Sequence, residues 1–499
     1  MRCPLAVVLL AALVPGACHE TPSEPSSDRS VGVENRQPGS AEWFAPTAAL
    51  ARASVLAVWA SPYSALAGET LDVFIRSHTV QNPRRPSGGA ASVGRVGVQL
   101  FRLGWYDGAG ARLLWKRRDV PAGDQSPCSA AHPGPVACRW YRTLRLPLDP
   151  SLVSGLYLIK VTDSAGRVAY YPVVVRDGRP AAVVAIVPVL TWQAYNDFGG
   201  SSLYTAEASS AGGNVRYVSF ERPYSVYGGA GTFLGPGESD KPLAAVRFLE
   251  RHGYDVTYLA DADVATTSDG VVDRARTLVF LGHAEYWPWA MYDRVEALRD
   301  GGHHLAFLSA NNAYWNVRLL PGQTLGRPRS VINCDRTTDN PAASGFADLT
   351  GRFRDAPLNR PENGLYGVMY EGLADDRTSG PLVVADSGVG PEARSFLRAA
   401  GLVDGAEVPG LVGSEGDEIV HNGRTPADLQ VLFRSPTAAG QRRPQRIYYS
   451  TFFIAPSGAG VFASGTTRFP QALDPAVGST WDPRIDRLTG AILDWMLAH

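Results

Sequence analysis

Between residues 181 and 310 the chain sets down four short apolar runs, AAVVAIVP, YDVTYLA, RTLVFLG and HHLAFLSA. Runs of this length, rich in Val, Leu and Ala, suit strands that are covered on both faces. Between them, KPLAAVRFLERHG reads as an amphipathic helix, and PWAMYDRVEALRDG as a helix with Pro at its start and Gly at its end. Strands that alternate with helices require crossover connections, and so predict a doubly wound, mostly parallel α/β sheet. In such sheets ligands sit outside the carboxyl ends of the strands. Tyr195 follows the first run, Asp261 and Asp263 the second, His283 and Glu285 the third, and Asn311 and Asn312 the fourth. All are therefore expected on one edge.

Upstream the rhythm differs. From about Ser54 to Arg176, SVLAVWA, TLDVFIRS, VGVQLFRLGWY, ARLLWKRR, RWYRTLRLPL, GLYLIKVTD and VAYYPVVV are short β-rich runs punctuated by Gly, Pro and Asp. Such spacing predicts an immunoglobulin-like β-sandwich over residues 49–178, ahead of the α/β domain at 179–499. The 499 residues give room for two cores. Residues 19–48, rich in Ser, Pro, Glu and Gly, read as a disordered tether. Residues 1–18 combine Arg2, an apolar run and small residues before Cys18, the pattern of an export signal of the lipoprotein type. The expectation is an exported chain, either secreted or held at the cell envelope by a lipid on Cys18. An exported chain can hold disulfides, and Cys128 and Cys138 bracket a loop suited to one local bridge. Cys334 is then left as a small buried apolar residue.

A formal net charge of −1 with 19% charged residues carries no electrostatic footprint for nucleic acid. Only three lysines, Lys116, Lys160 and Lys241, occur, so candidates for a lysine nucleophile are few. The chain lacks G-x-S-x-G, H-E-x-x-H, C-x-x-C, the phosphate loop and G-x-G-x-x-G after a strand. What remains is oxygen-rich: the His283-Ala284-Glu285 stretch, Tyr195, Tyr224, Asn311 and the GSEGDE segment at 413–418. Carboxylate and phenolate together suit a hard cation, ferric iron above all. Tyrosines in loops also serve simply as packing residues with a wet hydroxyl, so the residues alone leave both readings open.

TWQAYNDFGGSSLY, VSFERPY, FLGHAEYW, LSANNAYW and LVGSEGDE, in that order, resemble the large (β) subunit of N,N-dimethylformamidase in its C-terminal catalytic domain, and LFRLGWYDGAGAR resembles the sandwich before it. The resemblance implies an amide hydrolase with one ferric ion, here on Tyr195, Tyr224 and Glu285. It further implies His283 as a proton-handling group, Asn311 as an orienting donor and Glu415 as general base, with Asp417 or Glu418 as alternatives to Glu415. A lysine used by the family has no counterpart in RSVINCDRTTDNP, where Arg336 is the available cation. The resemblance also implies a small-amide substrate and a companion small subunit that this chain does not supply, and it leaves homo-oligomerisation open. A reading of another class is a surface-anchored binding protein for an envelope polymer or peptide, with a silent α/β domain.

Overall fold

The four apolar runs become four parallel strands, Val183–Val187, Val256–Ala260, Thr277–Phe280 and His304–Phe307. The computed structural model describes residues 30–78, 94–130, 134–204, 215–225, 241–267, 270–339, 343–373, 379–386, 388–413, 415–437, 445–477 and 480–499. Within the sheet Val183–Val187 lies between Val256–Ala260 and Thr277–Phe280, and His304–Phe307 follows. Gly460–Ala463 adds a fifth parallel strand, and Ile447–Ile454 and Gln430–Pro436 complete a seven-stranded sheet in antiparallel fashion. The molecule is mixed α/β with several sheets.

Because successive strand side chains point to opposite faces, each strand feeds two cores. One core joins Val183, Ala185 and Val187 to Leu243 and Leu249 of the helix Pro242–Arg251 and to Leu488 and Ile492 of the helix Pro483–Ala498. The other joins Val184 and Ile186 to Met291, Val295 and Leu298 of the helix Trp289–Asp300. Each such Val, Leu, Ile or Met side chain contributes roughly 1.5–3 kcal/mol by leaving water. Proline pre-sets the first turn of Pro242–Arg251 and Pro483–Ala498, and Asp482 caps the latter by accepting from the Arg484 N–H at 2.8 Å.

Each β-rich run upstream contains a strand. Leu56–Ser61, Thr70–Ser77 and Leu144–Pro147 form one antiparallel sheet. Ser64–Leu66, Val168–Arg176, Gly155–Asp163, Gly94–Leu103 and Ala111–Ala122 form a second, in which only Ser64–Leu66 pairs parallel. Their shared core includes Trp59 stacked on Phe74 with ring centroids 4.0 Å apart. Cys128 and Cys138 are bonded.

Residues 30–48 depart from the expected tether. Glu34, in the short helix Val31–Glu34, accepts from the Tyr106 hydroxyl at 2.8 Å and from Arg112 at 2.7 Å, and Trp43 is buried with its indole N–H on the Ala109 carbonyl at 3.0 Å. The tether pattern was diluted there by Val31 and Trp43, each of which found an apolar seat. The signal segment and Cys18 lie outside the described residues. A buried ion pair, Arg102 to Glu250 at 2.7 Å, ties the strand Gly94–Leu103 to the helix Pro242–Arg251, and Tyr258 and Asn35 also donate to Glu250. Losing one partner would strand the other charge, at about 3–5 kcal/mol.

Candidate active site

Glu285 sits five residues beyond the strand Thr277–Phe280 and directly before the short strand Tyr286–Pro288, which pairs with Trp315–Leu320. Its backbone is pinned on both sides. The Glu285 N–H donates to Thr191 Oγ1, and its carbonyl accepts from the N–H groups of Tyr314 and Trp315, each at 2.9 Å. Glu285 is 3% exposed and its carboxylate is surrounded by donors. Tyr195 donates to Oε2 at 2.9 Å, Tyr204 lies 2.8 and 2.9 Å from the two oxygens, and the Trp315 indole donates to Oε1 at 3.0 Å.

Tyr195 ends the helix Val189–Tyr195, whose start is held by Asp261 accepting from the Leu190 N–H. Tyr204 comes back to the same carboxylate after a turn, its ring 4.4 Å from that of Tyr195. Burial, and after it the Glu285 charge, pushes both hydroxyls well above the ordinary phenol range. For Tyr204 this rests on the hydroxyl, which lies on the carboxylate, because 46% of the residue is exposed. The Tyr286 hydroxyl donates to the Tyr204 oxygen at 2.6 Å, and the Arg336 guanidinium lies 4.8 Å from the Tyr204 ring centre and 5.5 Å from that of Trp315.

Beside this cluster stands a second one. His283 Nε2 is 3.1 Å from Glu415 Oε2 and 3.3 Å from Glu285 Oε2, while Nδ1 faces the Ala310 carbonyl at 3.0 Å. A carbonyl only accepts, so Nδ1 carries hydrogen. A hydrogen bond from Nε2 to these carboxylates then needs one further proton, on the imidazole or on one of the acids. Asn311 Nδ2 donates to the same Glu415 oxygen at 3.0 Å. Asn311 has φ of +52°, a left-handed conformation unusual outside glycine, and Asp417 holds it by accepting from its N–H at 2.9 Å. Burial pushes the Asp417 carboxyl up to about 7. Glu415 and Asp417 lie on the strand Glu415–Glu418, brought to the carboxyl end of Gly460–Ala463 by the Asp417 N–H donating to the Gly465 carbonyl. Glu415 keeps 16% of its side chain exposed, more than His283 or Glu285.

Of the residues singled out in the sequence, Tyr195, His283, Glu285, Asn311 and Glu415 come together. Tyr224 does not join them: its ring lies 5.4 Å from Tyr171 of the upstream sheet, and Tyr204 takes the place beside Glu285 expected for it. The missed signal was the last residue of TWQAYNDFGGSSLY, nine residues after Tyr195 and separated from it by a Gly-Gly turn. Asp263 pairs with Arg329 and Glu418 with Arg446, while Asn312 holds the Ser309 carbonyl. Cys334 is buried and its thiol pushed up to about 12, chiefly by that burial, which leaves it inert.

The donor set is one of oxygens. Among the described residues no group of three or more His, Cys, Asp or Glu side chains is arranged to hold a metal. Tyr195, Tyr204 and Glu285 instead converge as three hard oxygens, the set that fits a small, highly charged cation able to displace phenol protons.

The model of the family described as N,N-dimethylformamidase beta subunit-like, C-terminal, matches residues 97–482. Two curated relatives are N,N-dimethylformamidase beta subunits from Paracoccus aminophilus and from an Alcaligenes species. Each is 23% identical over 224 residues, covering 37% of this chain and 29% of the relative. The match thus spans less than a third of the length of those relatives.

Proposed function

Because the chain belongs to the N,N-dimethylformamidase beta subunit-like family, we propose that it hydrolyses a small amide or related C–N bond at a mononuclear ferric site on Tyr195, Tyr204 and Glu285. The observation that carries this reading is the meeting of two tyrosine hydroxyls on one buried carboxylate, at 2.8–2.9 Å, beside a second carboxylate that reaches solvent. Amides resist attack because the nitrogen lone pair delocalises into the carbonyl. A bound ferric ion would supply Lewis acidity, polarising the carbonyl oxygen or acidifying a water.

The chain's own groups do the rest. Glu415 is placed to take the proton of the attacking water and to return it to the departing amine. His283 shares that proton through its 3.1 Å contact, and its Nδ1–H on Ala310 fixes the ring orientation. The Asn311 amide holds Glu415 in position. Tyr286 and Trp315 donate to Tyr204 and Glu285, which keeps the donor oxygens aimed at one point. Arg336, always cationic, adds positive charge behind Tyr204 and cannot serve as a neutral base.

The upstream two-sheet unit is read as an immunoglobulin-like domain over residues 49–178. The sheet of 179–499 is read as doubly wound, because its parallel strands carry helices from both cores. Export, with lipidation at Cys18 or plain secretion, is supported by the pattern of residues 1–18 and by the Cys128–Cys138 bond. A partner subunit is proposed because both relatives are named as beta subunits.

The test is a screen of small formamides and acetamides with the iron-loaded protein beside Glu415→Gln. We expect amine release by the wild type, and a rate at least ~100-fold lower in the variant with iron content unchanged. Equal rates in the two proteins would remove Glu415 from the mechanism.

A further inference from the structure

Between Tyr195 and Tyr204 the chain runs NDFGGSSL, without helix or strand. Gly199 and Gly200 take φ of +81° and +85°, and a Cβ on Gly199 would lie 2.6 Å from Val136 Cγ1. A turn so dependent on glycine has little stiffness of its own, since glycine restricts the backbone least. Yet Tyr204 must arrive within hydrogen-bond reach of Glu285.

Stiffness comes from VSFERPY. Arg222 is fully buried, and its guanidinium donates to the carbonyls of Asn196 at 2.8 Å, Phe198 at 2.7 Å and Ser201 at 2.7 Å. Asn196 locks the same turn from within. Its Oδ1 accepts from the N–H groups of Phe198 and Ser225 at 3.1 and 3.0 Å, and its Nδ2 donates to the Pro223 carbonyl at 3.0 Å. The Leu203 N–H closes the turn on the Ala194 carbonyl at 3.0 Å.

Among the described residues no carboxylate is a hydrogen-bond partner of Arg222, and burial pulls its pKa down to about 10. A cation kept out of water with carbonyls as its hydrogen-bond partners is costly, and a neutral apolar residue could fill the volume. What the apolar residue could not do is hold three carbonyls at once, which the two terminal nitrogens of the rigid guanidinium do.

We infer that Arg222 is a positioning residue for the site: it clamps the 196–201 turn and thereby sets the Tyr204 hydroxyl on Glu285. The inference rests on the proposed role of Tyr204 as a ligand only for its consequence in the loaded protein. The clamp itself can be tested without metal.

The experiment uses the full chain with Arg222→Lys, Arg222→Met and the isosteric Asn196→Asp, which loses the donor to Pro223. Amide hydrogen exchange is read in the metal-free proteins, and the phenolate-to-iron absorption after loading with ferric ion, beside Tyr204→Phe. We expect exchange over 196–204 to rise about tenfold or more while the strand Thr277–Phe280 keeps its protection. The absorption should fall to that of Tyr204→Phe, and combining Arg222→Lys with Tyr204→Phe should lower it no further. Unchanged exchange over 196–204, exchange rising equally across the whole chain, or a full two-phenolate band in Arg222→Lys would each overturn the inference. Should the wild type take up no iron while exchange rises in that segment alone, the clamp stands and the ligand reading of Tyr204 falls.

Discussion

Replacing Tyr204 by Phe, beside Tyr224→Phe, separates two ways of building the site. The Tyr204 hydroxyl donates to the Glu285 carboxylate and accepts from Tyr286 at 2.6 Å. A hydrogen bond to a charged group contributes about 1.5–3 kcal/mol, and a buried hydroxyl left without its acceptor costs about 1–3 kcal/mol. Tyr204 is 46% exposed, so water can reach part of the gap and the lower ends of those ranges apply. The expected loss in the metal-free protein is therefore about 2–3 kcal/mol, read as a lower midpoint in urea at unchanged slope. In the loaded protein the loss of a ligand should weaken iron binding by at least ~100-fold, given that even partners outside the ligand shell are worth 10–100-fold. Tyr224, against Tyr171, should tolerate Phe at under about 1.5 kcal/mol with iron binding unchanged. Iron lost in Tyr224→Phe and kept in Tyr204→Phe would refute the assignment and with it the geometry of the 196–204 turn.

Asp417 gives a pH signature. Its carboxyl titrates near 7 in the folded protein against an ordinary 3.8, so between those values the folded state holds a proton that the unfolded state has released. Stability then falls as pH rises from about 4 to about 7, by roughly 4 kcal/mol at 1.36 kcal/mol per unit. Asp417→Asn, which retains an acceptor for the Asn311 N–H, should flatten that slope in denaturant titrations run at several pH values; an unaltered slope would assign it to other groups. Reduction of the Cys128–Cys138 bond, separated by 10 residues, should cost about 3 kcal/mol by freeing a short loop in the unfolded chain. Equal urea midpoints with and without reductant would show that the bond constrains little.

The architecture was legible where periodicity is strong. Val183–Val187, Val256–Ala260, Thr277–Phe280 and His304–Phe307 are short, mostly apolar runs, and the rule placing ligands beyond carboxyl ends brought His283, Glu285 and Asn311 to one edge without any knowledge of strand order. The order itself was not readable, because four runs of similar composition carry no information about their neighbours. Gln430–Pro436, Ile447–Ile454 and Gly460–Ala463 escaped because the helix rhythm stops before them. The pairing of Tyr195 with Tyr204 was missed for a local reason. A Gly-Gly turn erases periodicity, and the residue that fixes it, Arg222, acts from another segment through carbonyl groups that no side-chain pattern records. Of VSFERPY, Tyr224 lies against Tyr171, and Arg222 is the residue that contacts the 196–201 turn.

The most direct test is to load the purified full chain with ferric ion and measure bound iron and visible absorption, beside Tyr195→Phe. Tyr195 donates to Glu285 at 2.9 Å and ends a helix whose start is capped by Asp261, so the variant should keep its fold. The account expects about one iron per chain, with a phenolate-to-iron band that weakens in Tyr195→Phe. A colourless wild type that takes up no iron, or a band of equal strength in the variant, would contradict it.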